Sequence, residues 1–280
     1  MVRKGTTVRR VQLARRLRAL REKAGLTLEA AAPLLDWSPS KLSRIENAHQ
    51  RVDVHSVRGM LDLYDVGGEQ WTELVALTRA ASQRGWWRAY GLNDHGYVPL
   101  EAEASMVRIF TLAYMPGLLQ TAEYARAMFR AGQPHRSEAG LENDVVVRMI
   151  RQERLTSDEQ PLQLVAIVDE SALHRPVGGP DVMCAQLVRL VDAAALDSVT
   201  LQVLPISVGA HPSLASGFAL LSFDTLAVPD MAYVEHSRGA VHLEKEDDVA
   251  PASLVFDHLR SEALSPGDSV ALIERVAAQT

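Results

Sequence analysis

Apolar residues recur every three or four positions along residues 8–64, and this spacing predicts four short helices. Gly25 ends the first helix, as a C-terminal glycine often does. The second helix covers Leu28–Leu35, and the tight turn Asp36-Trp37 leads to the third, which Ser38 caps. The apolar positions that define the outer helices are Val11, Leu13, Leu17 and Leu20 in the first and Val54, Val57, Met60, Leu61 and Tyr64 in the fourth.

The third helix has one apolar side and one polar side. Pro39 suits its first position, and Leu42 and Ile45 share one face at helical spacing. The other face supplies hydrogen-bonding side chains on a short helix, which is the kind of surface that fits a DNA major groove. Together with the threonine that caps the second helix, the predicted DNA-contacting residues are Thr27, Ser38, Pro39, Ser40, Lys41, Ser43, Arg44 and Asn47.

Charge is distributed unevenly along the chain. Residues 1–65 hold thirteen Lys and Arg against seven Asp and Glu, a net charge of +6, whereas the remainder carries −12. This division favours one end that binds phosphate and another that avoids it. Arg3, Lys4, Arg9 and Arg10 form an arm that could follow the DNA backbone or enter a minor groove, with a solvated basic tail as the alternative. We include Arg9 and Arg10 among the predicted DNA contacts.

The downstream pattern predicts a second domain of mixed helices and strands. A fifth helix at about 69–83 completes the first domain, and Gly85-Trp86-Trp87 marks a boundary. We expect a helical domain over residues 1–84, a linker or hinge over 85–99, and an α+β domain with a small sheet over 100–280. The predicted helices cover about 100–114, 121–131, 137–157, 180–194, 246–263 and 266–279, and the predicted strands cover 162–168, 199–204, 218–223, 231–235 and 240–243.

A set of positions in the first domain follows a known helix-turn-helix pattern: Leu17, Arg21, Gly25-Leu26-Thr27, Ser38, Leu42, Ile45, Glu46 and Asn47. The domain resembles the lambda-repressor-like proteins of the XRE family. The resemblance implies an all-α DNA-binding domain in which Arg21 pairs with Glu46, Arg44 faces bases, and residues 38–41 approach base edges or phosphates. Asp36 stands where the family usually has glycine, and aspartate tolerates the left-handed backbone that such a turn needs.

Eight strings in the second domain are also distinctive: Leu100–Ala104, Met115–Arg126, Asp169–Leu173, Arg175–Gly179, Gln186-Leu187, Val203–Pro205, Gly209–Pro212 and Tyr233–Glu235. They resemble the DUF5753 domain of actinobacterial XRE regulators, such as the WhiJ-type regulators of Streptomyces. Genes of such regulators often lie beside a gene for a small DUF397 protein, and the resemblance implies a partnership between the two products. It implies no chemistry for the DUF5753 domain.

The sequence lacks the motifs of the common enzyme and metal sites. Its nine histidines are scattered without metal-ligand spacing, and neither a dinucleotide fingerprint nor a phosphate-binding loop motif is present. Cys184 is the single cysteine, which excludes an internal disulfide and a cysteine zinc site; its apolar helical surroundings predict a buried position. We expect no metal, no cofactor and no enzymatic activity.

Polar residues near strand ends suggest a pocket in the second domain. Asp169 and Glu170 end a predicted strand, where polar groups often converge, although a structural bridge from Glu170 to Arg175 is the simpler alternative. Packing alone explains Met115–Thr121. The paired tryptophans are expected to form a packing hinge, with a ligand cage as the alternative. The residues proposed for a ligand or partner pocket are Trp86, Trp87, Arg175, His211, Tyr233 and Glu235.

These patterns predict a DNA-binding transcription regulator that acts as a homodimer on a pseudo-palindromic double-stranded operator. In the first hypothesis its second domain senses a small DUF397-like protein. In the second hypothesis a small-molecule ligand controls the regulator, and in the third the chain is an enzyme or toxin–antitoxin component with a DNA-binding head. No stretch approaches the ~20 apolar residues of a membrane span, so we expect a cytoplasmic, nucleoid-associated protein without membrane contact.

Overall fold

The computed structural model describes residues 7–92, 96–223, 228–236 and 239–280. Within them the chain forms twelve α-helices and six β-strands. The chain forms two compact units: the first extends to Glu103 and also includes Val228, and the second comprises the described parts of residues 104–223 and 229–280. The fold is therefore a helical domain followed by an α+β domain, as the sequence predicts.

The described part of the first unit is helical. Its helices are α1 (Thr7–Lys23), α2 (Leu28–Leu34), α3 (Pro39–Glu46), α4 (Val54–Leu63), α5 (Gly68–Ser82) and α6 (Tyr97–Glu101). The five helices predicted from periodicity, α1 to α5, are confirmed. Leu17, Leu42 and Leu61 are fully buried in one core, which also receives Leu74 of α5.

Residues 85–99 differ from the linker that the sequence predicts. Trp86–Tyr90 forms a 3-10 helix and α6 begins at Tyr97, and both lie in the first compact unit. Trp87 is fully buried, and a Cβ at Gly85 would lie 2.2 Å from its ring. Position 85 therefore requires glycine for close packing of the indole, and the boundary between the units falls after residue 103.

The second unit is built on one six-stranded sheet. Its strands are β1 (Met106–Thr111), β2 (Gln163–Asp169), β3 (Val199–Leu204), β4 (Phe218–Phe223), β5 (Val228–His236) and β6 (Gly239–Leu243). Its helices are α7 (Ala122–Gly132), α8 (Glu138–Gln152), α9 (Glu170–Leu173), α10 (Pro180–Ala194), α11 (Glu246–Glu262) and α12 (Pro266–Ala277). The strand order is β3-β2-β1-β4-β5-β6, so β6 lies at one edge.

The sheet is mixed. Strands β1 and β2 are parallel, as are β2 and β3, whereas β4 runs antiparallel to β1 and β6 antiparallel to β5. The helix predicted over residues 100–114 is wrong, because this segment contains the end of α6 and the central strand β1. Met106, Val107, Ile109 and Phe110 fit helical spacing as well as a buried strand, and pairing with β2 and β4 decides between the two.

Helix α11 covers one face of this sheet. Phe256 and Leu259 of α11 belong to one buried cluster that also contains Phe110 of β1, Ile167 of β2 and Ala232 of β5. Alternate strand residues point to the opposite face. Strand residues an even number of positions from these core residues therefore point toward α11, and those an odd number of positions away point to the other face of the sheet.

Helix α10 corrects one further prediction. Cys184 lies on this helix with its side chain exposed, so the prediction that it is buried is wrong. The buried residues of α10 include Met183, Leu187 and Leu190, which follow the helical spacing of the core-facing side. Cys184 falls outside that stripe.

Candidate DNA-binding surface

Helix α3 begins at a side-chain cap and buries one side. The hydroxyl of Ser38 accepts a hydrogen bond from the backbone N–H of Lys41 at 3.2 Å, and Pro39 occupies the first turn. Leu42 and Ile45 are buried in the core of the first unit. The cap and the buried side fix the direction in which the polar face of α3 points.

The polar residues of α3 have different environments. Ser40 and Arg44 are exposed. The Lys41 ammonium lies 4.0 Å from the centroid of the Trp37 ring, a cation–π contact that holds this side chain near the turn. The Asn47 amide donates to the carbonyl oxygen of Ser43 at 2.8 Å. Arg44 is therefore the long side chain that α3 presents without a partner seen in the described residues.

The turn before α3 and the start of α2 are also ordered by local hydrogen bonds. The Thr27 hydroxyl accepts from the N–H of Ala30 at 3.2 Å and caps α2. Asp36 has a φ of 55°, so aspartate adopts the left-handed backbone expected for this turn. The Trp37 N–H donates to the carbonyl of Ala32 at 2.9 Å. Both helices of the motif thus begin at hydroxyl caps.

A buried ion pair joins α1 to α3. Arg21 donates from Nε and Nη2 to the two carboxylate oxygens of Glu46, each at 2.8 Å, and from Nη1 to the carbonyl of Leu26 at 2.6 Å. Hydrogen bonding to Glu46 raises the pKa of Arg21 further, which keeps the guanidinium charged. Beside the pair, burial raises the pKa of Tyr64 above its usual range. The structure therefore forms the Arg21–Glu46 pair that the XRE resemblance implies.

The two predicted arm residues that the structure describes do not form an extended arm. Arg9 and Arg10 are part of α1 and are only partly exposed, while Arg3 and Lys4 lie outside the described residues. The Arg9 Nε lies 3.7 Å from the Glu103 carboxylate. The extended arm is therefore wrong for these two residues, because α1 begins earlier than periodicity indicates, whereas their contact with DNA stays a prediction.

In the second unit, buried glutamines hold the segment Met115–Thr121. Gln186 of α10 accepts from the N–H of Thr121 and donates to the carbonyl of Leu119, both at 2.8 Å. The Gln120 amide donates to the carbonyl of Met115 at 2.7 Å. The expected packing role is present, and buried amide hydrogen bonds accompany it.

Helix α8 contributes two further polar side chains to this segment. Arg148 donates to the side-chain oxygen of Gln120 at 2.5 Å. The Gln152 amide donates to the backbone carbonyls of Gly117 and Gln120 at 3.1 and 2.7 Å. Gln120 is therefore buried in a hydrogen-bond network and is not a surface residue.

The residues proposed for one pocket lie on two sides of the sheet. His211 packs edge to face on Phe110, whose ring belongs to the α11 side, with ring centroids 5.4 Å apart. Ala232 lies on that same side, so its neighbour Tyr233 and the alternate residue Glu235 point to the opposite face. The single pocket containing both His211 and Tyr233 is therefore wrong.

Each side retains a polar group near the strand ends. The His211 side chain is almost fully buried, and its Nε2 lies 3.9 Å from the Asp169 carboxylate, beyond hydrogen-bond distance. On the other side, burial and the charge of Glu235 raise the pKa of Tyr233 to about 12. The hydroxyl of Tyr233 therefore stays protonated at neutral pH.

The other proposed pocket residues are also placed. Arg175 is exposed. The Glu170 carboxylate accepts a hydrogen bond from the backbone N–H of Ile206 at 2.8 Å instead of forming the expected ion pair with Arg175. Trp86 packs edge to face on Trp87, with centroids 6.1 Å apart, inside the first unit. The tryptophans form a packed aromatic pair there, which agrees with the expected packing role.

Two family models match the chain. A helix-turn-helix domain model matches residues 12–74, and the model of a domain of unknown function, DUF5753, matches residues 95–275. The chain belongs to the DUF5753 family. The helix-turn-helix match identifies this DUF5753 protein as a DNA-binding regulator, consistent with the capped and paired α2–α3 unit. No curated protein and no solved structure matches the chain significantly.

The described residues of the DUF5753 protein contain neither a membrane-spanning helix nor a metal-binding cluster. No helix among them is long and apolar enough to cross a bilayer. No group of three or more His, Cys, Asp or Glu side chains among them could hold a metal ion.

Sequence reasoning missed three polar residues of this DUF5753 protein that the structure shows at work. Glu103 contacts the start of α1, and Gln152 and Gln186 hold the Met115–Thr121 segment. All three bind partners more than thirty positions away. The available signal was weak, because Gln186 and Glu103 appeared only within family strings and Gln152 fits an ordinary polar surface.

Proposed function

We propose that the protein is a sequence-specific transcription regulator that places α3 in the major groove and reads a base with Arg44. The observation that carries this proposal is the pair of exposed residues Ser40 and Arg44 on a helix fixed by the Ser38 cap and the Glu46 ion pair. An arginine can bind guanine with two hydrogen bonds when its backbone is held in place. The proposal assigns no enzymatic activity to the chain.

Substitution Arg44→Ala tests the base contact. Its affinity for the promoter of its own gene should fall by about 1–3 kcal/mol, with a smaller loss on random DNA, as measured by fluorescence anisotropy at fixed salt. The matched control is Arg79→Ala, which removes an exposed arginine from α5. Equal losses on both DNAs would show a phosphate contact instead, and failure of the wild-type protein to bind the promoter at low salt would reject DNA recognition.

The regulator is further proposed to act as a homodimer whose second unit senses a small DUF397-type protein. Support comes from the sequence resemblance and from β6, an edge strand whose Val241 side chain is 46% exposed. Edge strands offer unpaired backbone groups to a partner chain. Pull-down of tagged full-length protein with the product of an adjacent DUF397 gene tests the partnership, and light scattering tests the dimer. A monomer that fails to retain that protein would contradict both.

A further inference from the structure

The first turn of α1 is capped by a residue from the far end of the first unit. The Glu103 carboxylate accepts from the N–H of Val8 at 2.9 Å and from the N–H of Arg9 at 3.2 Å. The Glu103 side chain is 1% exposed and also lies 3.7 Å from Arg9 Nε. These amides belong to the helix end that lacks internal acceptors, and a carboxylate there is favoured by the helix dipole.

This arrangement differs from the other helix starts of the motif. Thr27, Ser38 and Asp53 each cap the helix that follows them directly. The first turn of α1 contains no acidic residue, and its cap stands 95 positions away from Val8. The start of α1 therefore depends on a distant part of the chain.

Glu103 lies within the stretch that the DUF5753 model matches, although it caps the first helix of the helix-turn-helix unit. The DUF5753 match begins at residue 95, yet Glu103 belongs to the first compact unit, and the next residue begins the second. The segment that holds α1 is thus the leading part of the DUF5753 region. A change in this segment would act directly on the first helix of the DNA-binding unit.

We propose that Glu103 is a positioning residue that limits DNA affinity by holding the basic first turn of α1. Its negative charge neutralises the helix end and keeps Arg9 on the protein, so DNA phosphates compete with this carboxylate. Loss of the Glu103 charge then removes one anion that competes with DNA phosphate for the first turn of α1. The proposal rests on the DNA-binding function stated above.

The test compares Glu103→Gln with wild type in the full chain. Glutamine retains an oxygen acceptor for one amide and loses the charge. We expect random DNA to bind about 3- to 10-fold more tightly, and the slope of log affinity against log salt to steepen by about 0.9, the value for one additional phosphate contact. Asp62→Asn, at an exposed position of α4, changes net charge equally and should leave the slope unchanged.

Two further measurements separate positioning from simple support of the fold. Glu103→Asp retains the charge and should keep the wild-type salt slope, even if hydrogen exchange at Val8 and Arg9 accelerates. Faster exchange in Glu103→Gln with an unchanged slope would overturn the proposal and leave a structural cap only. Absence of DNA binding by wild type would instead overturn the proposed function, and the role of Glu103 with it.

Discussion

The two units use different buried polar groups to hold parts of the chain in place. In the first unit the α2–α3 region is anchored by a charged pair, Arg21 and Glu46, with two hydrogen bonds of 2.8 Å. In the second unit the segment Met115–Thr121 is anchored by neutral amides, above all Gln186, that bind backbone groups. The first arrangement joins two side chains, whereas the second joins side chains to the main chain.

The difference determines how each region responds to loss of one group. Removing one member of a buried ion pair leaves an uncompensated charge in a poorly solvated place. Removing a neutral amide leaves unpaired backbone groups, each of which carries a smaller penalty. The helix-turn-helix region is therefore expected to be more sensitive to single substitutions than the amide-held segment.

The largest effect is expected for Glu46→Ala. The variant leaves Arg21 charged and buried, and should lower the free energy of unfolding by about 3–5 kcal/mol. Denaturant unfolding of the full chain measures the loss of stability, and hydrogen exchange of the α1–α5 amides shows whether that loss falls in the first unit. The double variant Arg21→Met/Glu46→Leu should recover much of it, because two apolar side chains need no charge compensation. A single variant as stable as wild type would show that the pair contributes little.

A smaller loss is expected for Gln186→Ala. The N–H of Thr121 and the carbonyl of Leu119 lose their partners, so the free energy of unfolding should fall by about 2 kcal/mol. Hydrogen exchange at the Thr121 amide should accelerate, while exchange in α1–α5 should not change. Gln163→Ala, at an exposed strand position, provides the control. A loss as large as that of Glu46→Ala would remove the proposed contrast between the two units.

The smallest effect is expected for Ser38→Ala, which removes the α3 cap. Loss of one N-cap typically lowers stability by about 1 kcal/mol. Ser40→Ala changes an exposed serine of the same helix that caps nothing, and should alter the midpoint of thermal unfolding much less. Equal shifts for the two variants would argue that the cap does not stabilise α3.

Local chemistry explains what could be predicted from the sequence. Hydroxyl caps at Thr27 and Ser38 act within three residues, and the apolar spacing of α1–α5 repeats with each turn. The Arg21–Glu46 pair could be predicted only from the family resemblance, because spacing alone does not bring together two side chains that are 25 positions apart in the sequence. Helices α1–α5 of the first unit could therefore be predicted from the sequence.

Features that depend on contacts between distant parts of the chain could not be predicted from the sequence. The apolar spacing of the central strand β1 also fits a helix, and its partners β2 and β4, which decide for a strand, are distant in sequence. His211 and Tyr233 were grouped without knowing which face of the sheet each occupies. Glu103 gave no local sign of its role, since its two amide partners lie at the other end of the unit.

The distant cap on α1 has a consequence for the order of events on the ribosome. Translation at about 5–20 residues per second delivers N-terminal segments first, and Glu103 follows Val8 by 95 positions. The carboxylate that caps Val8 and Arg9 is therefore synthesised roughly 5–20 s after these two residues. During that interval Thr27, Ser38 and Asp53 are already available to cap α2, α3 and α4, so among these four helices α1 is the last to gain its side-chain cap.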